Sequence, residues 1–318
     1  MSQHGSHGVG GDFAVVPGSM TFGKARPVEL AGSWQADVGI LGIPYDAGAS
    51  YLPGARFGPR AIREGSQRLG FFDPGLGAVG YFDPDEGRHF LQGVKAVDCG
   101  DVDVVLLDVD RNFRSVEAAV REVRRHGALP VALGGDHSVT FPELRAFDDE
   151  GPLVLVHFDA HLDYRDASKG VSLTHSSPIR RCAELPFVAG ILSFGIRQLR
   201  VAEEDYKAAL SNKSRIVTYR QYLKQGKQAF QEALPEGDRC FVTIDIDCLN
   251  PALCLGTGTI EADGLAAHEM VDLLRIVARR YEVVGFDLVE VNPLPDPANL
   301  TGAVAARVIV EFLGAIYS

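Results

Sequence analysis

Short apolar runs alternate with stretches of helical period along most of the chain. Val38–Ile43, Val94–Asp98, Leu129–Leu133, Leu153–Phe158, Ile191–Gly195, Arg215–Thr218, Phe241–Asp245 and Val283–Leu288 each read as a strand. Between them, sets such as Val116, Ala119, Val120 and Val123, with Arg and Glu on the other side, read as amphipathic helix. Nearly continuous apolar strands separated by helices predict a parallel α/β sheet covered on both faces. Residues 1–34 are rich in Gly, Ser, Pro and His without sustained periodicity, so they read as an N-terminal arm. His4 and His7 fit a mobile tail better than a metal-binding tract. No repeat or linker divides the rest, and residues 35–318 read as one domain.

Polar clusters recur at the same end of four strands. Leu133 leads into Gly134-Gly135-Asp136-His137-Ser138, and Phe158 into Asp159-Ala160-His161-Leu162-Asp163. Ile244 leads into Asp245-Ile246-Asp247, and the last strand into Glu290-Val291-Asn292-Pro293. In open α/β sheets ligands gather outside the carboxyl ends of the strands. Extended backbone would turn Asp159, His161 and Asp163 to one side, and Asp245 with Asp247 likewise. A lone D-x-D is ordinarily a turn or a helix cap, and a lone His137 a hydrogen-bonded strand-end histidine. Recurrence at matching strand ends argues instead for one shared site. Crowded carboxylates are costly to bury without a cation. Four aspartates match the charge of two divalent ions, and a His/Asp set without sulfur suits Mn²⁺, or alternatively Fe, Co, Ni or Zn.

Composition narrows the field further. Lys and Arg total 31 against 42 Asp and Glu, a formal charge of −11 over 318 residues. Such a balance excludes backbone-neutralising nucleic-acid binding as the main task and mildly favours a cationic small molecule. Cys99, Cys182, Cys240, Cys248 and Cys254 are scattered with no C-x-x-C pair, which points to neither a disulfide framework nor a thiolate metal site. The polar opening Met1–Gly11 lacks a signal-peptide core, and no apolar stretch is long enough to span a bilayer. The expectation is a cytoplasmic protein with no membrane or nucleic-acid partner.

The three clusters Gly134–Ser138, Asp159–Asp163 and Asp245–Asp247 resemble the signatures of the ureohydrolase family, which includes arginases and agmatinases. Ser50–Pro59 and Gly285–Pro293 resemble two further family loops, so the likeness spans roughly residues 36 to 316. It implies an arginase-like three-layer α/β/α sandwich on an eight-stranded parallel sheet. One metal would be held by His137, Asp159, Asp163 and Asp245, the other by Asp159, His161, Asp245 and Asp247. A water activated between the ions is the implied nucleophile. His175 sits where the family has a mobile histidine near the leaving amine, and Glu290 where a carboxylate pairs with the guanidinium. Thr259 and Arg165 are further candidates for substrate contact, while Arg180 and Arg181 read as solvated or intersubunit residues. The resemblance also implies a homo-trimer or homo-hexamer.

Departures bear on the substrate. Asn250 stands where the family usually has a third acid, and Leu255 and Ile260 where it has prolines, which touches the loop's rigidity rather than the metal ligands. Arg165 follows Tyr164 where arginases carry an asparagine for the amino-acid end, which argues against arginase activity. Hydrolysis of agmatine to putrescine and urea is the first expectation. A guanidino acid such as guanidinobutyrate is the alternative, because Arg165 could pair with a carboxylate. A non-catalytic metal-binding homologue is the alternative of another class.

Overall fold

A computed structural model describes residues 15–16 and 20–318, apart from 74, 76, 106 and 297. His4 and His7 lie outside the described residues. Eight parallel strands form the body of the sheet: β1 (Val38–Gly42), β2 (Ala96–Val102), β3 (Leu129–Leu133), β4 (Leu153–Phe158), β5 (Val188–Ile196), β6 (Ser214–Thr218), β7 (Arg239–Asp245) and β8 (Glu282–Val289). Their spatial order is β2-β1-β3-β8-β7-β4-β5-β6. Two segments from the region read as an arm extend it to ten: Arg26–Pro27 pairs parallel with β2, and Val15–Val16 pairs antiparallel with it.

Alternation along each strand divides the apolar side chains between two cores. On β4, Val154, Val156 and Phe158 face a core shared with helices Gly58–Gly65, Ala267–Arg280 and Leu300–Ile316. Leu153 and Leu155 face the other, under helices Val109–Arg125, Thr140–Arg145 and Pro178–Ala183. The helix nominated from Val116, Ala119, Val120 and Val123 buries that stripe, and Asp108 caps its start by accepting from the Arg111 N–H at 3.0 Å. Helices Gly58–Gly65 and Leu300–Ile316 cross closely at two glycines: a β-carbon on Gly65 would lie 2.5 Å from the Gly302 carbonyl.

β2 runs four residues past the expected end at Asp98. The reason is Arg63, 35 residues earlier, whose buried guanidinium donates to both oxygens of Asp98 at 2.9 Å and to the Gly100 carbonyl at 3.0 Å. Asp98 also accepts from the Phe22 N–H at 2.8 Å, fastening the chain before β1 to this edge. With its charge matched, a carboxylate that locally reads as a strand end is buried inside the strand. The five cysteines are free and buried, and no helix among the described residues is long and apolar enough to cross a membrane.

Candidate active site

Strands β3, β8, β7 and β4 are neighbours at the centre of the sheet, and the polar clusters leave their carboxyl ends side by side. Three of the clusters begin with the same device. Asp136 Oδ1 accepts from the Ser138 N–H (3.0 Å), Asp159 Oδ1 from the His161 N–H (2.6 Å) and Asp245 Oδ1 from the Asp247 N–H (2.9 Å). Each aspartate thereby folds the chain into a tight turn. This corrects the expectation of extended backbone: β4 ends at Phe158, and Ile246–Cys248 is a short 3-10 turn. Turn-forming and clustering are compatible because a carboxylate has two oxygens, one for the backbone and one for the site.

The six residues nominated as metal ligands fall in one cluster. His137 Nδ1 lies 3.1 Å from Asp159 Oδ2, 3.2 Å from Asp163 Oδ2 and 3.3 Å from Asp245 Oδ2. It meets none of them in hydrogen-bonding geometry, so a fully buried nitrogen is left without a partner. His161 Nδ1 lies 2.9 Å from Asp247 Oδ2 and 3.4 Å from Asp159 Oδ1. Asp159 thus turns one oxygen to each histidine. Burial and the charges of Asp247 and Asp159 push the Asp245 carboxyl well above its ordinary range, and burial raises Asp247. Burial also acts to raise Asp159, but the surrounding imidazoles outweigh it and hold that group well below the usual range. An unpartnered nitrogen facing crowded carboxylates, all N and O donors, fits a pair of divalent cations.

The surrounding residues fix these groups. His137 Nε2 is 3.0 Å from Thr243 Oγ1, which is 3.1 Å from Thr140 Oγ1, and that hydroxyl donates to Asp287 Oδ2 at 2.7 Å. A chain ending on a buried carboxylate favours donation from Nε2, so that with a metal bound Nδ1 would offer its lone pair to the cluster. His157, which the sequence reading passed over, is fully buried with Nε2 2.8 Å from Asp159 Oδ2 and Nδ1 3.1 Å from Ser193 Oγ. Its signal was its place two residues before Asp159, one strand repeat away. We expect His157→Gln to weaken Mn²⁺ binding by about 10–100-fold, as loss of an outer partner of a ligand does. Calorimetric titration checks this, and unchanged affinity would show that Asp159 holds its place without the imidazole.

Above the cluster, His175 Nε2 is 2.8 Å from Ser50 Oγ and its Nδ1 is 3.4 Å from Glu290 Oε1. The loop carrying Ser50 is tied down from two sides: Gly48 N–H donates to Asp136 Oδ2 at 2.7 Å, and Asn292 Nδ2 donates to the Pro53 carbonyl at 3.2 Å. The N-terminal and C-terminal loops singled out in the sequence therefore meet here. Burial alone would lower His175, but the adjacent Glu290 carboxylate outweighs it and pushes the imidazole up to about 9. Glu290 Oε1 also accepts from the His137 N–H at 2.9 Å. Glu290 and Asp163 both adopt left-handed backbone, with φ of 62° and 48°. Such strain in non-glycine residues is held only where surrounding structure imposes it, and it concentrates at functional sites.

Thr259 and Arg165 line the same cavity as His161, Asp163, His175 and Glu290, a space of about 190 Å³ suited to a small linear molecule. Arg180 and Arg181 instead join a surface network with Asp166 and Glu184. Asn250 Oδ1 accepts from the Ala252 N–H at 2.9 Å, the same turn an aspartate would close. The departure from the family acid therefore leaves the loop's turn intact.

A family model described as the arginase family matches residues 36–314. The chain belongs to the arginase family. Among curated members, it is 35% identical over 286 residues to the mitochondrial guanidino acid hydrolase of Homo sapiens, covering 88% of this chain and 78% of that one. It is 36% identical over 283 residues to the agmatinase of Bacillus subtilis, covering 88% of this chain and 91% of that one. Among solved arginase-family structures, the proclavaminate amidino hydrolase of Streptomyces clavuligerus superposes with a TM-score of 0.81 at 30% identity, covering 96% of this chain and 99% of that one. The sandwich and its central sheet are the arginase-family fold, and the chain is an amidinohydrolase of that family.

Proposed function

We propose that this cleft hydrolyses a small linear guanidino compound to urea and an amine with the help of two Mn²⁺ ions. His137, Asp159, Asp163 and Asp245 would hold one ion, and Asp159, His161, Asp245 and Asp247 the other. The observation that carries the reading is the placement of Glu290 and His175, 3.4 Å apart, on the same cavity as the carboxylate cluster. The metal pair, when bound, supplies a water acidified to react near neutral pH and polarises the guanidinium carbon.

The chain's own groups do the rest. Glu290 presents a buried carboxylate to the planar guanidinium fork. Its Oε2 faces Gly258, where a β-carbon would stand only 3.2 Å away, so glycine keeps that side open. Glu290 pushes the His175 imidazole up to about 9, which favours the form that can hand a proton to the tail nitrogen as the carbon–nitrogen bond breaks. The water oxygen stays on the carbon that leaves as urea. Ser50 Oγ steadies the ring at 2.8 Å.

Agmatine and a linear guanidino acid place the same group on this floor and differ only at the far end. Urea release from a panel of guanidines, with Mn²⁺ added, tests the reading. At least one linear guanidine should be turned over, and a protein that binds metal yet releases urea from none would sink it.

A further inference from the structure

We infer that the substrate's far end is a carboxylate, gripped at the mouth of the cleft by Arg200 together with Arg165. The inference rests on the guanidino reading above and adds the class of tail. Arg165 comes from the loop after β4 and Arg200 from the loop after β5, and both line the cavity that contains Glu290 and His175. Among the described residues neither guanidinium has an ion-pair or side-chain hydrogen-bond partner. The neighbouring Arg180 and Arg181 are different, being matched by Asp166 and Glu184. Among the described residues, the one carboxylate on this rim away from the cluster is Asp205, and Arg180 Nη1 faces it at 4.0 Å. The cavity is therefore polar along its length, acidic at the floor where a guanidinium docks and cationic at the mouth.

That gradient selects a molecule with positive charge at one end and negative at the other. Arginine guanidiniums match a carboxylate in two parallel hydrogen bonds, and exposed ones lose little hydration in doing so. An ammonium tail, as in agmatine, would be brought against two like charges with one partly engaged carboxylate to offset them. An uncharged tail would gain nothing and lose nothing there. The expected order of kcat/KM is guanidinobutyrate, then butylguanidine, then agmatine.

Arg200→Ala should lower kcat/KM for guanidinobutyrate by about 10–100-fold, the usual effect of losing a hydrogen bond to a charged group. Butylguanidine should be unaffected and agmatine unaffected or improved. Arg200→Lys should recover part of the loss, and Arg165→Ala should act in the same direction. Calorimetric binding of guanidinobutyrate to the metal-free protein gives a readout independent of turnover and should weaken in step. Asp205→Asn should leave guanidinobutyrate intact. If the unsubstituted protein prefers agmatine, or Asp205→Asn lowers agmatine turnover selectively, the cationic clamp is wrong while the hydrolase reading stands. Equal losses on guanidinobutyrate and butylguanidine in Arg200→Ala also overturn it. If no guanidine of any tail yields urea, both readings fall together.

Discussion

Asp159→Ala is expected to abolish stoichiometric binding of both ions, not one, and to remove activity with them. Asp159 is the carboxylate that turns one oxygen toward His137 and the other toward His161, at 3.1 and 3.4 Å. It is also the group that the surrounding imidazoles keep ionised despite full burial. Elemental analysis of the Mn²⁺-reconstituted protein should find about two ions per chain, and close to none in the variant. Turnover should fall by more than the roughly 10–100-fold that follows loss of an outer partner. Asp163→Ala makes the contrast, since of the two ligand histidines Asp163 pairs with His137, at 3.2 Å, and not with His161. One ion should survive there. Retention of a full pair by Asp159→Ala would mean that the two sites do not share it.

His175→Ala is expected to lower kcat by roughly 10²–10⁴-fold while leaving metal content unchanged. The imidazole's close contacts are with Ser50 and Glu290, neither of them placed as a metal ligand, so its loss removes a proton donor and no ligand. The pH profile carries the sign of the assignment. Glu290 pushes the His175 imidazole up to about 9, so the donating form predominates below that value and declines above it. A donor role therefore predicts that kcat falls as pH rises through about 9 and that this limb disappears in His175→Ala. A profile unchanged by the substitution, or loss of metal with it, would assign His175 a different part.

The layers and the central strands were readable from periodicity because apolar alternation is a local property of the chain. The metal cluster was readable for a related reason: each of its loops is closed by an aspartate bonding a backbone N–H two residues on, so the spacing is written locally. What escaped was set by partners distant in sequence. The extension of β2 past Asp98 depends on Arg63, and the nominated His175 takes a partner, Ser50, from 125 residues earlier. His157 reads as one more strand residue until Asp159 is seen beside it. Arg200 sits in a polar loop that nothing local distinguishes, and its role emerges only from the cavity it shares with Arg165.

The order β2-β1-β3-β8-β7-β4-β5-β6 has a kinetic consequence. The last parallel strand in sequence does not close an edge but inserts into the middle, between β3 and β7. Its arrival joins two halves of the sheet, and with them the His137 N–H and the Glu290 carboxylate, 153 residues apart. Until then β3 and β7 each expose an unpaired apolar edge, and the site's components sit on separate pieces. Pairings at such sequence separation must close long loops before they are rewarded, which slows the assembly of the centre relative to the pairing of strands near in sequence. Nascent chains that stall before β8 present sticky, unfinished edges and belong to the species that need chaperoning.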